Sequence, residues 1–243
     1  MSFSIADFQA AVDKINDGMD DISAKMKEIP EVANSTIDHW YIPDFVAEGI
    51  TWLAEKMLDL AEQIWDKLVE VLKGVAAPIY MFNFAMDLSG VATLADQIEA
   101  NLSDGQLVSE DKWAGQAATA YRAEVGPQRD AAGELGTIAE SMKSSLIWAS
   151  VAGLGFYVGL GVIVVKFVAA MITAIAALGS VVFSWAGAAL VVEEAGVNIA
   201  AIAALVTTLL ALLGDQVKEM GSLQDAASSD KFPHGVWPAA SAG

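Results

Sequence analysis

The chain has no cysteine, two histidines and six prolines in 243 residues. Without cysteine there is no disulfide framework, no thiolate nucleophile and no sulfur-ligated zinc. His39 and His234 are the only histidines, and neither stands in a ligand-spaced or triad-like arrangement. Phosphate-binding loops, nucleophile elbows and dinucleotide fingerprints are missing as well. These absences argue against an enzyme, a metal or organic cofactor, and a small-molecule substrate.

Positive charge is the next scarcity. Lys and Arg number 13 against 31 Asp and Glu, a net charge of −18. The imbalance lies in residues 1–145, which carry 10 basic and 25 acidic side chains. Such a surface repels nucleic acid phosphates and anionic head groups, so neither DNA binding nor a polybasic membrane anchor is expected. Residues 1–7 lack the basic start and continuous apolar core of a secretory signal. An export route would have to be independent of a signal peptide.

Charge of either sign is nearly missing from residues 146–214, where only Lys166, Glu193 and Glu194 interrupt the apolar composition. The uncharged runs, 146–165, 167–192 and 195–214, each reach the roughly 20 residues that cross a hydrocarbon core of about 30 Å. This block is expected to seek membrane lipid. The pair Gly155 and Gly159 forms a GxxxG spacing that permits close helix approach in lipid. Glu193-Glu194-Ala195-Gly196 reads as the acidic tip of a helical hairpin. Protonating both carboxylates at low pH would lower the cost of carrying that tip across a bilayer.

What precedes the block is amphipathic helix. Phe8, Val12, Ile15, Met19, Ile22, Met26 and Ile29 alternate at spacings of 4 and 3, a coiled-coil-like stripe with Ser4 as N-cap and Pro30 as stop. A second helix over 45–73 places Ile50, Leu53, Met57, Leu60, Ile64, Leu68 and Val71 on one face, and Trp52 and Trp65 widen the arc. So wide an arc must touch more than one neighbour. A third helix over 79–102 shows a stripe at Phe84, Leu88, Val91, Ala95, Ile98 and Leu102. After a polar turn at 103–106, a fourth opens behind Trp113-Ala114-Gly115, breaks at Gly126-Pro127, and runs on into the apolar block.

A helix, a polar loop, Trp-x-Gly, then Ala117-Ala118-x-Ala120-Tyr121 with its aromatic eight residues after the Trp resembles the WXG100, or ESAT-6-like, superfamily of type VII secretion substrates. The resemblance covers 84–145, about a quarter of the chain. It implies a helical hairpin that pairs with a second hairpin as a four-helix bundle and leaves the cell through an ESX-type machine. The family's Tyr-x-x-x-Asp/Glu export signal is not reproduced, since Tyr121 is followed by Glu124 at the third position and Val125 at the fourth.

The expected fold is therefore all-α: an elongated antiparallel helical bundle followed by an apolar block of two to three membrane-seeking helices. The segments are 1–78, 79–145, 146–221 and a loosely ordered tail, 222–243. Two arrangements remain for the first two helices. They complete a four-helix bundle within the chain, or their arcs, with Phe8, Val12, Ile15, Met19, Trp52 and Trp65, receive a small WXG100-type partner or a second copy. The expected location is the cell envelope or the exterior. The expected role is a membrane-inserting channel or pore component; the alternative is a soluble secretion-associated scaffold or toxin-delivery partner whose apolar helices are buried in an oligomer.

Overall fold

A computed structural model describes residues 2–39, 42–103, 113–179 and 185–238. Among them the chain forms five α-helices and no strand: α1 (Ile5–Ile37), α2 (Asp44–Leu72), α3 (Ala77–Asn101), α4 (Gln116–Leu178) and α5 (Trp185–Ala227), followed by a short 3-10 turn at Pro233–Gly235. The all-α bundle and its long apolar helices are thus present.

α1 begins where expected, with the Ser4 hydroxyl accepting from the Asp7 N–H at 3.2 Å. It does not stop at Pro30. Proline removes one N–H and crowds the preceding turn, yet Ile29, Ala33 and Thr36 continue the buried stripe beyond it, and Pro30 itself is exposed. Packing on both sides of the proline outweighs the lost hydrogen bond. Pro127 is carried through α4 in the same way, with Val125, Ala131 and Ala132 buried around it. No break occurs at Gly126-Pro127.

The helices gather into two compact units, Met1–Ala77 with Ala152–Leu210, and Pro78–Val151 with Ala211–Gly243. Neither is a continuous segment. The apolar block is divided between them, because its central part supplies apolar surface that the N-terminal helices need.

In the first unit the α1 stripe is covered by the chain itself. Phe8, Ile15 and Met19 are buried and Val12 is half-buried, so these are core positions and not an outward, partner-facing surface. The Phe8 ring meets Tyr157 of α4 edge-on at 5.2 Å, and the Tyr157 hydroxyl donates to the Val71 carbonyl of α2 at 3.2 Å. Gly18 lies so close to α4 that an added Cβ would strike the Val164 Cγ1 methyl. The apolar part of α4 therefore packs with α1 and α2 in this unit. On α2, Ile50, Leu53, Met57, Leu60, Ile64 and Leu68 are buried as their spacing requires, and Val71 is half-buried. Trp52 is exposed and Trp65 half-buried.

In the second unit α3 and α4 form an antiparallel hairpin. The Lys143 ammonium donates to Ser89 Oγ at 3.2 Å, and Cβ atoms built on Gly133 and Gly136 would meet Glu99 and Asp96. The contact face of α3 differs from the expected one: Ala85, Leu88, Ala92 and Ala95 are buried, whereas Phe84, Val91, Leu94 and Ile98 are exposed. Small residues on both helices permit a close approach, and that approach leaves no room for the large side chains between them. The tail is fastened by Lys231, whose ammonium lies 2.6 Å from the Glu134 carboxylate.

Candidate functional site

Two features could carry function, and each arises from a local sequence pattern. The first is the apolar surface of α4 and α5 in the first unit. On α4, Leu160, Val164, Phe167, Met171 and Leu178 point into the core. Val158, Val162, Val165 and Ile172 fall on another face at spacings of 4, 3 and 7, and all four are exposed. Apolar residues thus occupy both the inner and the outer face, a composition that suits a helix surrounded by apolar material on every side.

α5 carries this further. By length and composition, Asp44–Asn101, Gln116–Leu178 and Gly196–Ala227 are each long and apolar enough to cross a membrane. In the most apolar 18-residue window of Gln116–Leu178, 44% of residues are buried, against 11% in that of Gly196–Ala227. Val197 and Leu210 are 62% and 63% exposed.

The polar side chains within this surface are mostly satisfied from inside their own helix. Thr207 and Thr208 donate to the carbonyls of Ala203 and Ala204 at 2.9 Å each, and Thr173 donates to Ala169 at 3.0 Å. That is the arrangement hydrocarbon demands, since an unpaired donor there costs several kcal/mol. Asn198 is the exception. It is buried, and its Nδ2 finds no acceptor among the described residues. The sequence signal for it was a single amide in the uncharged run 195–214.

Two expectations for the block change. Glu193-Glu194 is not a hairpin tip. Both residues lie in α5, and the break between the helices falls after Leu178 and before Trp185. Gly179 follows the last turn of α4, as glycine commonly does, whereas Gly196 is tolerated inside α5 at a cost of about 1 kcal/mol. Glu193 is exposed on the helix surface. The two glycines of the GxxxG pair also part company. A Cβ at Gly159 would lie 3.3 Å from Leu205 of α5, whereas nothing stands within 4 Å of one at Gly155. Only Gly159 serves the approach of α4 to α5. Lys166 is exposed beside Val165.

The second feature is the Trp113 turn in the second unit. Gly115 takes φ +106°, a left-handed value that glycine adopts without strain, and α4 starts at the next residue. The Trp113 ring packs on Tyr121 at a centroid distance of 5.6 Å. The Arg122 guanidinium donates to the Trp113 carbonyl at 3.4 Å, and the Thr119 N–H to Gly115 at 3.1 Å. The three motif residues thus form one local structure at the start of α4. Trp113 and Tyr121 both remain about two-fifths exposed, so the ring cloaks the helix start and does not plug the hairpin. The turn expected at 103–106 lies largely outside the described residues.

Among the described residues no cluster of three or more His, Asp or Glu could hold a metal ion. No family model, curated protein or solved structure matches the chain.

Proposed function

We propose that this chain is a WXG100-like protein of type VII, ESX-type, secretion that inserts its apolar α4–α5 hairpin into membrane and assembles there as a channel or pore component. The observation that carries the reading is α5, which has no charged residue from 195 to 214 and whose most apolar 18-residue window within Gly196–Ala227 is only 11% buried. Exposing so much contiguous apolar surface to water is unfavourable at about 25 cal/mol per Å², and lipid removes that cost. The internal hydrogen bonding of Thr173, Thr207 and Thr208 suits the same medium. The family reading is supported by the Trp113, Gly115 and Tyr121 turn, and by an acidic surface of the kind a small helical partner can share. Phe84, Val91, Leu94 and Ile98 offer that partner, or a second copy, an apolar seam on α3.

A second reading, a soluble secretion scaffold, draws support from α4. Nearly half of its apolar window is already buried within the chain, so a neighbouring copy could cover the remainder.

Vesicle flotation of the full chain separates the two. Insertion predicts that wild type floats with liposomes and that Ala204→Arg, on the uncovered side of α5, does not. An Arg near the middle of a membrane helix costs about 2.5–3.5 kcal/mol, roughly a hundredfold in partitioning. Gln9→Arg on the solvated side of α1 should float like wild type. Equal flotation of Ala204→Arg and wild type would overturn insertion. Detergent-free purification as a monodisperse oligomer would favour the scaffold.

A further inference from the structure

The second unit contains two adjoining hollows that neither the membrane surface nor the Trp113 turn uses. The inner one is a cavity of about 270 Å³ walled by Met81, Phe84, Met142, Leu146, Ala149 and Leu213. Its wall is almost wholly hydrocarbon and sulfur. The outer one is an open groove of about 790 Å³, whose floor and rim include Glu140, Ser144, Trp148 and Glu219. Ser145 and Gln216 border both, so the two hollows meet at these residues. Together they offer an apolar chamber that opens onto a polar vestibule.

Charge and hydrogen bonding at the junction specify what the vestibule prefers. Glu140 is paired with the Lys143 ammonium at 3.1 Å, so its charge is largely compensated. Glu219 accepts only the Ser145 hydroxyl, at 3.0 Å, and has no cationic partner among the described residues. Gln216 Oε1 is buried without a hydrogen-bond donor, which leaves an acceptor to be satisfied. The Trp148 ring, half-exposed on the groove, presents a face of the sort that attracts cations. A carboxylate, an unmet acceptor and an aromatic face all favour a positively charged N–H donor. The chamber, with its apolar wall, favours a hydrocarbon chain.

We propose that the second unit holds a binding site for an amphiphile with an alkyl chain and an ammonium head, the chain lying in the Met81–Leu213 chamber and the head between Glu219 and Gln216. This goes beyond membrane insertion: although Leu146, Trp148, Ala149 and Leu213 belong to the uncharged runs of α4 and α5, the site lies in the second unit and has a different readout. Repulsion by Glu219 makes a fatty carboxylate the disfavoured counterpart of the same length.

The test uses the full chain held in an amphipathic polymer, titrated calorimetrically with dodecylammonium and with dodecanoate below their micelle concentrations. Saturable one-to-one binding is expected, with dodecylammonium at least tenfold tighter. Glu219→Lys should invert that preference, and Ala149→Phe, which fills the chamber, should abolish binding of both. Circular dichroism checks that each variant keeps its helices. If Ala149→Phe does not fold, the inversion by Glu219→Lys, an exposed position, decides alone. Unsaturable uptake, equal affinity for the two probes, or a preference unchanged in Glu219→Lys would overturn the site. Lipid extracted from protein purified from cells then identifies the source. Enrichment of an aminolipid assigns a membrane lipid, and its absence beside tight dodecylammonium binding assigns a free amphiphile. Failure of Ala204→Arg to lose flotation would leave this result untouched.

Discussion

α1 and the part of α5 up to Leu210 lie in the same unit, and they meet water in opposite ways. α1 hides a stripe of Phe8, Ile15, Met19, Ile22 and Ile29 and turns Asp13, Asp17, Asp20 and Asp21 outward. α5 has no charged residue across 195–214 and, among the described residues there, buries only Asn198 and Ile202. A narrow stripe needs few neighbours, and α4 and α2 cover it. A helix apolar on every face needs a surrounding medium, and two or three neighbours cannot provide one. Within one chain, the width of the apolar arc decides whether a helix is completed by its own fold or by something outside it.

The largest expected effect tests that contrast directly. Ile15 is fully buried, so Ile15→Ala removes core volume and leaves a cavity, at about 2–5 kcal/mol. Leu210→Ala at an uncovered position should change stability in solution by no more than about 0.5 kcal/mol. Denaturant titration of the full chain, followed by tryptophan fluorescence, measures both. A comparable loss at Leu210 would mean that α5 is already covered, which would break the contrast and favour the oligomeric scaffold.

The next effect sharpens the comparison within the α4–α5 contact. Gly159→Leu forces a branched side chain against Leu205 and should cost about 1–3 kcal/mol. Gly155→Leu enters open space, and replacing a mid-helix glycine there should stabilise slightly, by up to about 1 kcal/mol. Opposite signs four residues apart are the outcome to look for in thermal melts. Equal losses would place Gly155 in an interface with another copy.

Much of this architecture could be read directly from residue spacing. The stripes of α1 and α2, the Ser4 cap and the helical character of the apolar block follow from local periodicity, which acts over one or two turns. Three things did not. Whether Pro30 and Pro127 end a helix depends on burial of residues on their far side, such as Ala33 and Ala131, which is a tertiary fact. The face of α3 that turns inward was missed because size reverses the usual rule: Ala85, Ala92 and Ala95 are buried where helices approach closely, and Phe84 and Ile98 are excluded. The position of the α4–α5 reversal was misassigned because two carboxylates were weighted above the good helix formers around them. For the candidate site, the uncharged runs announced α5, and the Trp113–Tyr121 contact was implicit in a spacing of eight. The chamber and groove were not legible, since they bring together residues more than sixty positions apart.

The smallest expected effect concerns an exposed, hydrogen-bonded ion pair, the hold of Lys231 on Glu134. The hydrogen bond to the Glu134 carboxylate, aided by its negative charge, raises the Lys231 ammonium above its ordinary value of 10.5. A raised folded value means that the protonated, paired form favours the folded state. The contribution is therefore fully present below pH 10.5 and is lost as pH climbs through the raised value. Because the chain has no cysteine, a single Val236→Cys at an exposed tail position accepts one nitroxide label. Its spectrum should be unchanged from neutral pH to about 10 and then become more mobile. Adding Lys231→Met should give the mobile spectrum at every pH, with the helical content unaltered. If the tail is equally restrained in both proteins, Phe232 packing and not the ion pair holds it. Apolar cover would then govern the end of the chain as it governs α1.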